Sequence, residues 1–453
     1  VWFFFVLAGS LVMLFLIPPF QTNDEVAHWY RAWSVAQRDV LCHRVPSVAR
    51  TLLEAVKYED VREHRLSWGR ELAAAAARLP GEPRGISADV AACFYSPVSY
   101  VLPAVALSLM ARPNDPRRDS HVLAAFYGAR AANWLLMGAG VLLFLLRVPR
   151  ARNLTLALYS LPMTIQQTIA INQDSLIFVA ALLLLWAWWD APSWPGLLIA
   201  FGLLLLAKII YACLLLWVVC ALWRVPRGRR WRSALLLAIP LGLAFAWNEL
   251  GVRQTVVAYL PGNVNPGEQV AYLVAHPFRL FQLYGHQVLD YFGRGHMNGG
   301  WPGILGVMGW AEAELADYAY VALALAIAFA FLIDLASSET TRPVRSWVVE
   351  RMGPIVSVLA IAPAVSVVMY LVFTEPRSPY IVGVQGRYLE VPLFFGLFLV
   401  GDWVRALPRW RAGRTVAWLG ARAPALGWAP FALCAVGYVE MARTVWTLYG
   451  IGR

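Results

Sequence analysis

Eleven apolar runs, joined by connections that are mostly short, constrain this chain more than any other feature. They cover about 1–17, 122–146, 154–171, 175–189, 195–207, 209–223, 233–250, 317–336, 353–373, 389–404 and 424–449. A helix that crosses a bilayer needs roughly 20 apolar residues, and these runs together hold more apolar surface than one soluble core can bury. The whole chain is 60% hydrophobic and 14% charged, with a mean hydropathy of +0.57, which excludes a soluble globular protein. The expected fold is an all-α polytopic membrane protein. It has a single transmembrane domain over 1–453 and two large extramembrane loops, 18–121 and 251–316. The segment 97–111, "PVSYVLPAVALSLMA", begins at Pro97, is interrupted by Pro103, and is read as interfacial. Residues 1–17 are read as a helix of a trimmed chain, because they are already apolar and show neither an initiator Met nor a small-residue cleavage site.

Arginine sets the expected orientation. The formal net charge is +11 and the only lysines are Lys57 and Lys208. Basic clusters in short loops mark the cytoplasmic side rather than a nucleic-acid groove. With the amino terminus inside, "RVPRAR" (147–152), "RVPRGRRWR" (224–232), "RPVRSWVVER" (342–351) and "RALPRWRAGR" (405–414) all fall on that side. The same parity requires 195–223 to be two short helices turning near Lys208. It leaves the loops 18–121 and 251–316, the turn "INQDS" (171–175) and "TEPRSPYIVGVQGRYLE" (374–390) outside. Most of the acids, histidines and amides outside the basic loops then face outward.

Within "PPFQTNDEVAHWYRAW" (18–33), Pro18 and Pro19 end the first helix. Thr22 and Glu25 fit a capping box for the next one. Asp24, His28 and Arg31 follow i, i+4, i+7 and share a face, while Trp29, Tyr30 and Trp33 suit an interface. A carboxylate there can act as general base for a hydroxyl, and His28 and Arg31 can bind an anion; a solvated helix face is the simpler account.

At "INQDSL", Asp174 and Ser175 can cap a helix, or Asn172, Gln173 and Asp174 can bind hydroxyls. Lys208 costs about 3 kcal/mol at mid-bilayer unless it snorkels or finds an anion such as a lipid phosphate. In "GVQGRYLE" (383–390), Gly383 and Gly386 permit close backbone approach and Arg387 opens a helix, a placement suited to a phosphate. Glu390 is the competing partner for Arg387. Tyr211, Gln385 and Tyr388 join the sugar- or acceptor-binding candidates.

Cys42 and Cys93 share the first large loop. If that loop is outside the cytoplasm a disulfide is permitted there, the alternative being two buried thiols. The spacing of His276, His286 and His296 forms no compact metal signature. No Walker loop, dinucleotide fingerprint or inverted repeat is evident. These motifs identify no cofactor, and a divalent cation is left open.

Taken in order, "PPFQTNDEVAHWYRAW", "YSPVSYVLPA", "INQDSLIF", "LAKIIYACLLLW", "GILGVMGW" and "GVQGRYLEVPL" make the chain resemble the DUF2142 family of bacterial polytopic membrane proteins, which is similar to the GT-C glycosyltransferases. The resemblance implies a GT-C-like fold with juxtamembrane helices in the first outer loop and an active site at the outer face of the cytoplasmic membrane. It also implies a sugar donor carried on polyprenyl phosphate and an acidic base from the first loop, here Asp24 or the adjacent Glu25. Arg387, Lys208, Arg31 and His28 are then the donor-phosphate candidates, and the acceptor is a glycan, lipid or protein. Asn23 stands where many relatives have Pro, and the insert from about Ser47 to Leu79 departs from the family pattern. Two other classes fit the same segments: a transporter or flippase of lipid-linked saccharides, and a non-catalytic envelope-assembly subunit. Transport needs access from both leaflets, and the one-sided concentration of polar groups argues against it.

Overall fold

The computed structural model describes residues 1–42, 52–53, 56, 91–110, 122–189, 194–223, 225–252, 264–292, 300–310, 313–337, 351–405, 418, 422–423 and 425–449. Among these residues the architecture is all-helical, apart from an isolated antiparallel bridge between Met308 and Ala313. In chain order the α-helices longer than the single turn Pro302–Leu305 are α1 (Trp2–Leu16), α2 (Glu25–Ala36), α3 (Val101–Met110), α4 (Val122–Arg147), α5 (Arg152–Tyr159), α6 (Pro162–Ile169), α7 (Asp174–Trp189), α8 (Trp194–Ala207), α9 (Leu215–Leu222), α10 (Arg227–Trp247), α11 (Pro266–Ala275), α12 (Arg279–Phe292), α13 (Asp317–Ser337), α14 (Gly353–Leu359), α15 (Ile361–Val372), α16 (Arg387–Arg405) and α17 (Trp428–Tyr449). The basic segments at 342–350 and 406–414, Arg294, His296 and most of the charged insert 47–79 lie outside the described residues.

Among the described residues, four helical stretches are long and apolar enough to cross a membrane: Val122–Arg147, Arg227–Gly251, Asp317–Ala336 and Gly353–Val372. A fifth is added if the bent pair α6 and α7 counts as one span. The run 154–171, expected as one helix, is instead two helices of 8 residues each, and α6 meets α7 at 114°. The reason lies at Pro162. Leu161 before it is extended (φ −64, ψ 134), and Pro162 opens α6 at a position where a missing N–H costs nothing. The break lets α6 turn four buried polar residues, Thr164, Gln166, Gln167 and Thr168, inside the protein. Gln166 is held there through both ends of its amide, accepting from Gly309 N at 2.8 Å and donating to Gly309 O at 3.3 Å.

The run 195–223 divides as the arginine pattern requires. Lys208 is extended (φ −148, ψ 122) between α8 and a 3₁₀ turn, Ile209–Leu214, that leads into α9. Its ammonium meets Asp174 at the start of α7, whereas Trp217 in α9 meets Trp188 near the end of α7, ring centroids 5.6 Å apart. The chain therefore reverses at Lys208, and the second leg packs chiefly against α14.

A large core joins the long helices, and a second, smaller one surrounds α2. Every residue of Glu25–Ser34 is buried, so this part of α2 presents no solvated face. Trp29, Tyr30 and Trp33, expected at an interface, belong to this second core. Trp29 makes edge contacts with Trp33 and Phe126, at centroid distances of 5.6 and 5.2 Å. The short Pro97–Met110 segment packs on α2 and α4 and leaves Val101, Leu102, Val105 and Leu109 exposed.

Candidate functional site

The turn between α1 and α2 is built by an arginine that sequence reasoning missed, although a lone cation within the apolar run 122–146 is the same signal that singles out Lys208. Arg130, fully buried in α4, makes five hydrogen bonds. It donates to Leu14 O (3.1 Å), Ile17 O (2.5 Å) and Pro18 O (3.0 Å), and to both carboxylate oxygens of Glu25 (2.8 and 2.6 Å). The three carbonyls lie at the end of α1, where a helix leaves its own acceptors open. Glu25 in turn accepts from Phe20 N and Ile171 N, each at 3.1 Å. The expected capping box is absent, because Arg130 has claimed the Glu25 carboxylate; Thr22 Oγ1 is buried without a partner. A carboxylate with both oxygens enclosed in this way is not available as a base, which removes Glu25 from the catalytic candidates.

Its neighbour behaves differently. Asp24 occupies the N-cap position with φ 60 and ψ 9, and its side chain makes no capping bond. This left-handed conformation is uncommon outside glycine, though Asp and Asn tolerate it best. The Asp24 carboxylate instead meets the guanidinium of Arg387, the first residue of α16. Burial alone would push the Asp24 carboxyl up, but the Arg387 charge outweighs it, with His28 adding, and holds it below the usual carboxylate range. The Asp24 side chain keeps 47% of its surface accessible because it opens into a cavity.

That cavity has a volume of about 390 Å³. Asp24, His28, Lys208, Gln385 and Tyr388 give it a polar lining. Leu206 of α8, Ile209 and Ile210 after the Lys208 break, Ala244 of α10, and Val365, Val368 and Val372 of α15 add an apolar lining. Phe94, Tyr95 and Trp247, which sequence reasoning missed, and Trp310 of the "GILGVMGW" segment add aromatic walls. Two of these rings are fixed through their indole N–H groups, Trp247 to Phe94 O (2.9 Å) and Trp310 to Phe20 O (3.0 Å). Lys208 donates to Asp174 Oδ1 at 2.7 Å and lies 4.9 Å from the centre of the Tyr388 ring. The chain itself thus supplies an anion for Lys208.

Arg387 is less completely engaged. Nη2 is given to Asp24, but Nε and Nη1 are buried with no hydrogen-bond partner, the guanidinium carbon lying 5.3 Å from the centre of the Tyr388 ring. The backbone that carries it is pinned: a Cβ on Gly386 would overlap the backbone of Gly303, and Gly383 has φ +89. Two of the sequence motifs therefore meet backbone to backbone here. Asn23 donates to Gln385 Oε1 at 3.4 Å, so the residue standing in place of proline ties the α1–α2 turn to the same loop. Glu390 is not the partner of Arg387. It accepts from Thr164 Oγ1 at 3.3 Å, and its Oε2 is buried without a partner.

The remaining candidates separate. His28 lines the cavity, and its Nδ1 lies 2.6 Å from the Tyr100 hydroxyl, which donates to Gln173 Oε1 at 3.1 Å. Burial lowers His28 to about 4 against the opposing pull of Asp24, so its ring is neutral near pH 7 and does not serve as a cationic phosphate ligand. Arg31 is also diverted. It donates to Tyr95 O (3.1 and 2.9 Å), Val40 O (2.9 Å) and Cys42 Sγ (3.1 Å), bracing the loop that Cys42 and Cys93 close as a disulfide. Asn172 accepts from Asp174 N at 3.0 Å and donates to Gln167 Oε1 at 2.8 Å, so Asn172 rather than Asp174 or Ser175 caps α7. Gln173 serves Tyr100, and Tyr211 is buried in the core; neither these two nor Asn172 lines the cavity. Among the described residues no group of three or more His, Cys, Asp or Glu side chains is arranged to hold a metal.

These features define an all-helical membrane protein with a cavity lined by both charged and apolar side chains. The chain belongs to the DUF2142 family, described as a predicted membrane protein, whose model matches residues 4–397. Neither a curated protein nor a solved structure matches it.

Proposed function

We propose that this protein is a GT-C-type glycosyltransferase of the bacterial cytoplasmic membrane. In this reading it has about eleven spans and works at the outer face, where it moves a sugar from a polyprenyl-phosphate donor to an envelope glycan, lipid or protein. The observation that carries the reading is Arg387, a buried guanidinium with two N–H-bearing nitrogens unpartnered. Through Asp24 it adjoins the cavity, much of whose remaining lining is apolar. A buried cationic donor left unsatisfied is costly, and phosphate oxygens can accept from the nitrogens that Asp24 leaves free. The apolar lining suits a prenyl chain, and the aromatic walls suit sugar rings.

In the proposed reaction an acceptor hydroxyl gives its proton to the Asp24 carboxylate as its oxygen attacks the anomeric carbon. The bond from that carbon to the phosphate oxygen breaks, and its electron pair leaves with polyprenyl phosphate. Arg387 holds the departing charge, with Lys208 beside it. One direct displacement inverts the anomeric centre. Removing a positioned base costs about 10²–10⁴ in rate.

Asp24→Asn, reconstituted with a polyprenyl-phosphate sugar and envelope acceptors, is expected to lose transfer by that factor with little change in thermal unfolding. Full turnover by this variant removes Asp24 from the mechanism. Intact donor lipid recovered on the opposite side of proteoliposomes, with no polyprenyl phosphate released by the unmodified protein, replaces transfer with transport.

A further inference from the structure

The pair α11 and α12 carries a pattern that the cavity does not use. Along α12, helical spacing sorts the side chains into three stripes, the apolar one passing over Gly285 between Phe281 and Leu289. Leu283, Gln287 and Tyr291 turn toward the protein, with Leu283 and Tyr291 buried. Gln282, His286 and Asp290 form an exposed polar stripe. The third stripe is apolar and equally open to its surroundings: Phe281 is 75% accessible, Leu289 73% and Phe292 71%, continued by Phe278 at 78% before the helix begins. On α11, Val270 and Val274 extend the same exposed apolar character.

One side chain fixes where the pair sits. Gln269 of α11 is fully buried and donates to Tyr370 O (3.1 Å), Thr374 O (3.1 Å) and Glu375 O (2.9 Å), while its Oε1 accepts from Arg377 N (3.1 Å). These partners lie at the carboxyl end of α15, where Val372 lines the cavity. The pair is therefore stapled beside the cavity, at the level where a membrane-crossing stretch ends. Soluble surfaces seldom expose large apolar side chains in such a contiguous row. A helix with protein on one side, water on the second and an apolar third has the form of one lying in a membrane interface.

We infer that α11 and α12 lie in the plane of the bilayer interface, with the Phe281, Leu289 and Phe292 stripe immersed among phospholipid acyl chains. Two observations favour the bilayer over a protein partner. The staple joins the pair to the end of Gly353–Val372, a stretch long and apolar enough to cross a membrane, so the stripe continues a surface already bounded by lipid. The polar stripe runs alongside the apolar one along α12, as a boundary between water and hydrocarbon requires. The result is a lipid-covered ledge beside the cavity wall, whatever chemistry the cavity performs.

The test is site-directed spin labelling of the full chain in phosphatidylcholine and phosphatidylglycerol bilayers. Cysteines are placed singly at 281, 289 and 292, and at 282, 286 and 290, in a background where the free Cys213, Cys220 and Cys434 are replaced by alanine. Labels at 281, 289 and 292 are expected to collide with oxygen several-fold more than with a water-soluble nickel chelate, and labels at 282, 286 and 290 the reverse. Equal nickel access on both stripes places the pair in water and overturns the inference. Protection of 281, 289 and 292 from both reagents means that protein covers the face, which overturns it equally. A variant that fails to reconstitute is replaced by its neighbour on the same stripe, 278 for the apolar set and 279 for the polar.

Discussion

Asp24 and Glu25 are adjacent in the chain, and each meets a buried arginine, yet the two pairs differ in completeness. Arg130 has all its nitrogens engaged by Glu25 and the end of α1. Arg387 spends one nitrogen on Asp24 and leaves two buried and unpartnered. A fully satisfied buried pair holds a fold together, whereas a partly satisfied one holds capacity for a ligand at a cost in stability. The difference assigns the first pair to architecture and the second to the candidate site.

The largest expected effect comes from breaking the complete pair. Arg130→Ala leaves the Glu25 carboxylate and three carbonyls without their donor, and removing one partner of a buried pair costs about 3–5 kcal/mol. Thermal unfolding in detergent is expected to fall far more for Arg130→Ala than for Arg387→Ala; equal losses erase the distinction drawn between them. The incomplete pair is probed by ligand instead. Arg387→Gln is expected to weaken polyprenyl-phosphate binding by about 10- to 100-fold, the equivalent of one or two charged hydrogen bonds. Unchanged affinity in calorimetry on nanodiscs takes the phosphate away from Arg387.

Smaller effects sharpen the comparison. Gly386→Ala forces a Cβ onto the Gly303 backbone, an overpacking worth about 1–3 kcal/mol. Because Gly386 positions Arg387 and not Arg130, phosphate affinity is expected to fall with it while the α1–α2 turn survives, as read by hydrogen exchange at the amides around Glu25. Protonation gives the smallest effect. His28 is lowered from 6.5 to about 4 by burial, so as pH falls below 6.5 the unfolded chain takes up a proton that the folded one refuses. Stability is highest above that value and declines toward the folded pKa, by about 1 kcal/mol between about pH 7 and pH 5.5. His28→Asn is expected to flatten this part of the unfolding profile, and an unaltered slope in the variant assigns it to other groups.

Several elements were legible because they rest on local chemistry. Pro18 and Pro19 stop α1 whatever surrounds them, and Gly383 and Gly386 announce a close backbone approach. Positive charge in the loops required a reversal within 195–223, and the chain turns at Lys208. Other features were not legible. Phe94, Tyr95 and Trp247 of the cavity wall look like ordinary interfacial or loop residues until the chain closes around them. Thr22 and Glu25 match a capping box letter for letter, but Arg130, far away in the chain, offers Glu25 a better bond. Arg31 keeps its helical spacing from Asp24 and His28, and is still drawn off by Tyr95, Val40 and Cys42.

Hydropathy, proline and glycine act over a few residues, so the order of amino acids was enough to put this protein in a membrane, to place most of its helices and to mark the segments that carry polar chemistry. It was not enough to separate two neighbouring acids. Glu25 and Asp24 have the same charge and nearly the same position in the chain. What distinguishes them is the supply of donors that long-range packing brings to each: complete around Glu25 from α4, and partial around Asp24 from α16.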